Sequence, residues 1–147
     1  MPDLKTSYMG IGLRNPVVAG ASPLTSRIET IKRLEDAGAA AVVTASLFEE
    51  QIQLERHVFE EQQGRYDNIS AEAVTTFPKG EHAGPEEHLM WVRKTKEAVK
   101  IPVIGSLNAV EPETWTTYAK LMAQTGVDGL ELNFYTRPTD FDRHFLL

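Results

Sequence analysis

The sequence contains no cysteine. That excludes disulfides, a cysteine-built zinc site and a cysteine nucleophile or base, and it fits a cytoplasmic location. No apolar run approaches the length of a membrane span, and no basic start leads into an apolar segment, so neither a membrane partner nor a signal peptide is expected. Positive charge is sparse: 15 Lys and Arg stand against 21 Asp and Glu, a formal net charge of −6. With no basic stripe, the electrostatic footprint of a nucleic-acid binder is missing, and the acidity serves solubility. Also absent are a phosphate-cradling Walker loop and a Gly-x-Ser-x-Gly elbow. The four histidines, His57, His82, His88 and His144, include no pair four residues apart, and Gly84-Pro85 separates His82 from His88. No metal is expected.

What is present is ordinary globular material: 147 residues, 41% hydrophobic and 24% charged, enough to bury a core in one domain spanning residues 1–147. Leu4 to Leu13 alternates loosely around Gly10 and Gly12 and reads as a hairpin. Pro16 to Ala19 is a short continuous apolar run of the kind that suits a strand buried on both faces. Ser26 and Glu29 have capping-box spacing, and Ile28, Ile31 and Leu34 then fall on one helical face, with Gly38 as the stop. Ala39 to Thr44 predicts a second buried strand. Ser46 and Glu49 predict a second capping box, opening a helix that uses Phe48, Ile52, Leu54, Val58 and Phe59 and closes at Gly64. Glu49 and Glu50 read as a cap and a solvated face, and Glu35 and Asp36 as solvated helix-end residues. Arg65 to Gly84 reads as a long loop. Pro85 suits the first turn of a third helix, with Leu89, Val92 and Val99 inward. Ile101 to Ile104 is a third strand. Pro112 starts the next helix, with Trp115, Ala119 and Met122 inward and Gly126 ending it, and Gly129 to Leu132 is a fourth strand. Trp91 and Trp115 read as packing residues.

Twice a helix runs into glycine and straight into a strand, at Asp36 to Val43 and at Gln124 to Leu132. Strands alternating with helices imply a parallel sheet with helices outside it. A doubly wound sheet shares this pattern, but no glycine-rich fingerprint follows the first strand. The expected fold is therefore α/β, the N-terminal half of a parallel (β/α) TIM barrel of about four βα units, preceded by a β-hairpin. Chemistry in such barrels sits on the loops after the strands: here Gly20 to Ser22, Ala45 to Ser46, Ser106 to Asn108 and Asn133 to Asp140. Small residues there let a planar ring lie close to the strand ends, and amide side chains can bond its edge.

These segments resemble the dihydroorotate dehydrogenase family, in a divergent branch. The resemblance rests on Gly12 to Ser22 (GLRNPVVAGAS), Ala39 to Ser46 (AAAVVTAS), Ile101 to Asn108 (IPVIGSLN) and Gly129 to Asn133 (GLELN), in family order and spacing. It implies an FMN-dependent oxidoreductase of pyrimidine-biosynthesis type acting on a small-molecule substrate, the flavin lying over the strand ends. Gly20, Ala21 and Ser22 would lie against the flavin ring, Thr44 and Ser46 near its edge, and Asn108 would be a further contact. Asn133 would orient substrate.

Two departures bear on chemistry. Family members often carry Thr-Lys-Ser after the second strand, where this sequence has Thr44-Ala45-Ser46 and so lacks the lysine. After Glu-Leu-Asn the family places a Ser-Cys-Pro-Asn segment with the catalytic base. This sequence has Phe134, Tyr135, Thr136 and Arg137, which puts Thr136 at the base position. A threonine hydroxyl there needs a neighbour to take its proton, and Tyr135 with Arg137 suits an anionic substrate. A complete barrel needs roughly 250 residues, with a phosphate site after its seventh and eighth strands. The expectation is a fragment without the FMN-phosphate site and inactive alone. The alternatives are a non-catalytic half-barrel that closes as a homodimer and a nonfunctional product of an interrupted gene.

Overall fold

The computed structural model describes residues 2–50, 52–53 and 85–134. The expected helix beyond Gln53, the loop Arg65 to Gly84, three of the histidines (His57, His82 and His144), Tyr135, Thr136, Arg137 and the C-terminal tail lie outside the described residues.

Strands β1 (Thr6–Tyr8) and β2 (Ile11–Leu13) form the expected antiparallel hairpin. Its two-residue turn places Met9 at φ 53° and Gly10 at φ 77°, the doubly left-handed geometry that matches hairpin twist. After it come β3 (Val18–Ala19), a 3-10 turn (Pro23–Thr25), helix α1 (Ile28–Asp36), β4 (Ala41–Val43) and β5 (Leu47–Phe48). Helix α2 (Pro85–Ala98), β6 (Val103–Asn108), helix α3 (Pro112–Ala123) and β7 (Gly129–Leu132) complete the described residues. Strands β3, β4, β6 and β7 pair side by side in that order, all parallel. The result is an open parallel α/β sheet consistent with part of a TIM barrel, with no closed barrel among the described residues.

One core lies between helices and sheet. Ile31 of α1, Val92 of α2 and Met122 of α3 are fully buried against Val42, Val103 and Leu107. Each such side chain contributes roughly 1.5–3 kcal/mol through apolar area removed from water. A smaller cluster of Leu13, Ala40 and Ala41, with Ile11 and Val18 beside it, joins the hairpin to the sheet. Burial is complete along β4 and nearly so along β6, but β3 and β7 are only half-buried. The expectation of a strand buried on both faces therefore fits the central strands better than Pro16 to Ala19, where Val17 is exposed.

Gly38 (φ 108°) and Gly126 (φ 89°) adopt left-handed backbone where the sequence predicts the ends of the first and last helices, a conformation that an L side chain strains. The C-terminal end of α1 is further held by Arg14, whose guanidinium donates to the carbonyls of Glu35 (3.0 Å) and Ala39 (2.7 Å). Glu35, expected to be solvated, accepts from the backbone N–H groups of Lys100 (2.8 Å) and Ile101 (3.1 Å). It thereby ties the end of α1 to the segment leading into β6.

Two expected capping boxes give way to other contacts. Ser26 does not cap α1. Its hydroxyl donates to the Pro23 carbonyl (2.8 Å), and Arg27 stands at the N-cap with extended backbone and no side-chain cap bond. The reciprocal contact lies one turn earlier, where the Thr25 hydroxyl accepts from the Ser22 N–H (3.0 Å). Ser46 and Glu49 are likewise drawn into tertiary bonds. Leu47–Phe48 forms a strand, and helical backbone begins at Glu49. Strand β6 in turn runs on to Asn108 rather than stopping at Ile104, because Leu107 and Asn108 pair with Leu47 and Phe48.

Candidate functional site

A bulge builds the site. Val43 pairs with Ile104, and four residues later Leu47 pairs with Leu107 only three residues on. Thr44, Ala45 and Ser46 thus face two residues, Gly105 and Ser106. An extra residue of this kind bends a strand and re-aims its side chains. Strands β4 and β5 are therefore one strand line, interrupted where the expected ring-edge residues sit.

Ser106 is the hub opposite that bulge, and it is fully buried. Its N–H donates to the Thr44 hydroxyl (3.2 Å), and its own hydroxyl donates to Oε1 of Glu131 (2.8 Å). The Asn133 amide nitrogen donates to the Ser106 hydroxyl (3.0 Å), and the Ser46 hydroxyl lies 2.7 Å from it. Glu131 faces Ser106 in the β6–β7 register, and the Asn133 N–H extends that ladder to the Leu107 carbonyl (3.0 Å). Three neighbouring strand lines thus deliver Ser46, Ser106, Glu131 and Asn133 to one polar cluster. Two residues beyond Ser106 along the same strand, the side-chain oxygen of Asn108 is buried without a hydrogen-bond partner among the described residues. A buried acceptor left unpaired is costly and calls for a partner.

The turn after β3 is pinned to this cluster from behind. Thr25, fully buried, accepts from Ser22 and donates to the Ser22 carbonyl (3.0 Å), and its carbonyl accepts from the Ala45 N–H (3.1 Å). Gly20 and Ala21 are exposed, and a Cβ at Gly20 would meet no atom of the described residues within 4 Å.

Glu49, read from the sequence as a local cap, is instead one of the buried polar groups, only 3% exposed. Its carboxylate accepts from the N–H groups of Val110 and Glu111 (2.9 Å to the latter), from the Thr114 hydroxyl (3.3 Å) and from Gln53 (3.1 Å). Burial pushes its pKa up, but these donors outweigh burial and hold it below the usual carboxylate range. It caps α3 from another part of the chain and fixes the loop that follows Asn108.

Of the residues singled out from sequence, the structure brings Ser46 and Asn133 into direct contact with one hub. Thr44 is placed behind that hub, fully buried, and Asn108 on the same strand. Gly20, Ala21 and Ser22 form the adjoining turn, and Thr136 lies outside the described residues. Sequence reasoning placed Ser106 among the strand-end loop residues without giving it a role, and passed over Glu131, although a glutamate inside an otherwise apolar strand run is the signal that could have found it. Trp115 packs as expected and also stacks on the exposed Phe134 ring (centroids 4.3 Å apart) just past β7. No group of three or more potential metal ligands occurs among the described residues, and none of their helices is long and apolar enough to cross a membrane.

No protein-family model matches the chain. Among curated proteins, it is 36% identical over 135 residues to the catalytic subunit of dihydroorotate dehydrogenase B (NAD(+)) from Thermoplasma volcanium. It is 34% identical over 134 residues to the same subunit from Thermoplasma acidophilum. Each match covers 90% of this chain but 42% of the relative, so the chain spans less than half the length of the curated relatives it matches.

Proposed function

From this partial match to dihydroorotate dehydrogenase B, we propose that the chain supplies strand-end contacts to the flavin ring and the substrate of a dihydroorotate dehydrogenase-like oxidoreductase. The observation that carries the reading is the polar cluster of Ser46, Ser106 and Asn133 at adjacent parallel strand ends, with the orphaned Asn108 oxygen two residues on from Ser106. Strand ends are where parallel α/β sheets bind ligands.

These residues fit FMN, the cofactor that the resemblance implies. The open space over Gly20 admits a flat ring at the strand end, and Ser46 and Asn108 offer polar atoms to its edge. When bound, the flavin would supply the acceptor for the hydride equivalent removed from a CH–CH substrate. This chain's residues would bind and orient. Thr25 holds the Gly20 to Ser22 turn in shape, the Thr44 to Ser46 bulge turns Ser46 toward the hub, and Asn133 orients substrate. In this reading Thr136, by its place in the sequence after Glu-Leu-Asn, is the candidate base. The contacts assigned here are to the flavin ring and the substrate.

The test is a titration of the chain with FMN and, separately, riboflavin, followed by flavin fluorescence and visible absorbance. Saturable quenching by both flavins, with similar affinity, is the expected result. A flavin signal unchanged across the titration would overturn the reading.

A further inference from the structure

The hub serine has one proton to give and two lone pairs with which to accept. Its proton goes to Glu131, so both remaining contacts must arrive as donors. One is the Asn133 amide nitrogen (3.0 Å) and the other is the Ser46 hydroxyl (2.7 Å). The same amide nitrogen also lies 3.5 Å from the Leu107 carbonyl, which a carboxamide oxygen could not favourably approach. The bonding thus has one direction, from Ser46 and Asn133 through Ser106 to Glu131. What faces away from the hub is the opposite polarity: the Asn133 carboxamide oxygen and the free lone pairs of Ser46. The buried, unpartnered Asn108 oxygen has that polarity too.

We propose that Glu131 is a positioning residue that, through Ser106, locks the Asn133 amide with its oxygen toward the ligand, making this rim a hydrogen-bond acceptor that selects a ring edge bearing N–H donors. Remove the acceptor at 131 and the Ser106 proton is released. It can then turn to the Asn133 oxygen, the amide rotates, and the rim presents N–H to N–H. The ligand half of this inference rests on the reading given under Proposed function; the role of Glu131 rests on the hydrogen bonds alone.

The experiment uses the whole chain, 15N-labelled, with the Asn133 side-chain amide assigned through the signal lost in Asn133→Asp. Glu131→Leu keeps bulk and removes the acceptor, and it is expected to speed solvent exchange of the hub-bonded Asn133 amide proton about tenfold. Glu131→Gln keeps an acceptor oxygen and is expected to restore the slow exchange, a rescue that a bulk-packing role would not produce. Exchange unchanged in Glu131→Leu overturns the proposal. Should that variant not fold, Glu131→Asp withdraws the oxygen by one methylene and is read in the same way. Dihydrouracil is then the ligand probe, with its N,N′-dimethyl derivative as control. The first is expected to shift the Asn108 and Asn133 side-chain signals and the second to leave them in place. Equal shifts from both, or none from either, overturn the acceptor rim. Neither measurement involves a flavin, so failure of the FMN titration and failure of this inference are separable.

Discussion

The Glu49 carboxylate accepts a 2.9 Å hydrogen bond from the Glu111 N–H, 62 residues along the chain. Helix α3 begins at the next residue, and the first N–H groups of a helix have no partner within it. A negative side chain there satisfies two of these needs together: it pairs the free donors and sits at the positive end of the helix dipole. Because Glu49 follows the bulge and Glu111 follows Asn108, the bond also clamps the two strand-end loops together.

Replacing Glu49 should therefore cost stability in a pH-dependent way. Glu49→Gln is expected to lose about 1–3 kcal/mol at neutral pH, since bonds to a charged acceptor are lost or weakened. The folded-state pKa is lowered, so the contribution is fully present above the unfolded value of about 4.3 and is lost as pH falls through the folded value. Urea midpoints measured from neutral to acidic pH should show the gap between wild type and Glu49→Gln closing as pH drops. A gap of constant size would show that the carboxylate charge is not what holds the loops.

Two glycines that face methionines should respond differently to alanine. A Cβ at Gly105 would meet Met122 Cγ at 2.6 Å and Sδ at 2.8 Å, and Met122 is fully buried. At Gly129 the nearest atom is Met9 Cε at 2.7 Å, the far end of a side chain that is 50% exposed. Gly105→Ala is expected to destabilise by about 1–3 kcal/mol through overpacking. Gly129→Ala should cost well under half as much, because Met9 can swing into solvent. Thermal unfolding of both variants decides it, and equal losses would mean that the hairpin is held more rigidly than its exposure indicates.

Asp128 makes two bonds with the same oxygen, to the Lys96 ammonium (2.6 Å) and the Val103 N–H (2.7 Å). The ion pair is part-exposed on both sides, so Lys96→Ala should cost at most about 1 kcal/mol and less at high salt. Asp128→Ala strands the N–H that opens β6 and should cost more, about 1–3 kcal/mol, with little salt dependence. If the two variants lose equal stability, the backbone bond contributes nothing beyond the ion pair.

The sequence displays its periodicities and hides its long-range bonds. Gly38 and Gly126 mark helix ends because only backbone conformation is at stake there, and conformation is a local property. Ile31, Val92 and Met122 follow from spacing for the same reason. Glu49 could not be read correctly from its neighbours, because the groups that bury it, Val110, Glu111 and Thr114, lie some 60 residues away. The Ser46–Glu49 spacing matches a capping box, yet tertiary donors outcompete the local ones and Leu47–Phe48 is drawn into the sheet. In the candidate site, Ser46, Ser106 and Asn133 were legible as small polar residues at strand ends, but that Ser106 joins the other two depends on the pairing of three strand lines and is not a local property.

The space over Gly20 gives the sharpest separation of stability from binding. No atom of the described residues lies within 4 Å of a Cβ built there, and its backbone needs no left-handed φ, so the Cβ of Gly20→Val meets no clash among them and the backbone no strain. The melting temperature should stay essentially at the wild-type value, since an exposed substitution of this kind typically moves stability by no more than about 0.5 kcal/mol. A branched side chain on the turn would nevertheless occupy the volume that a flat ring needs. Flavin affinity is accordingly expected to fall about tenfold or more, the equivalent of about 1.4 kcal/mol, with FMN and riboflavin affected alike. Unaltered flavin binding in a well-folded Gly20→Val would move the ring away from this turn. It would then lie over the Ser46 and Asn108 side of the strand ends, where Ser46→Val is the variant that should block it.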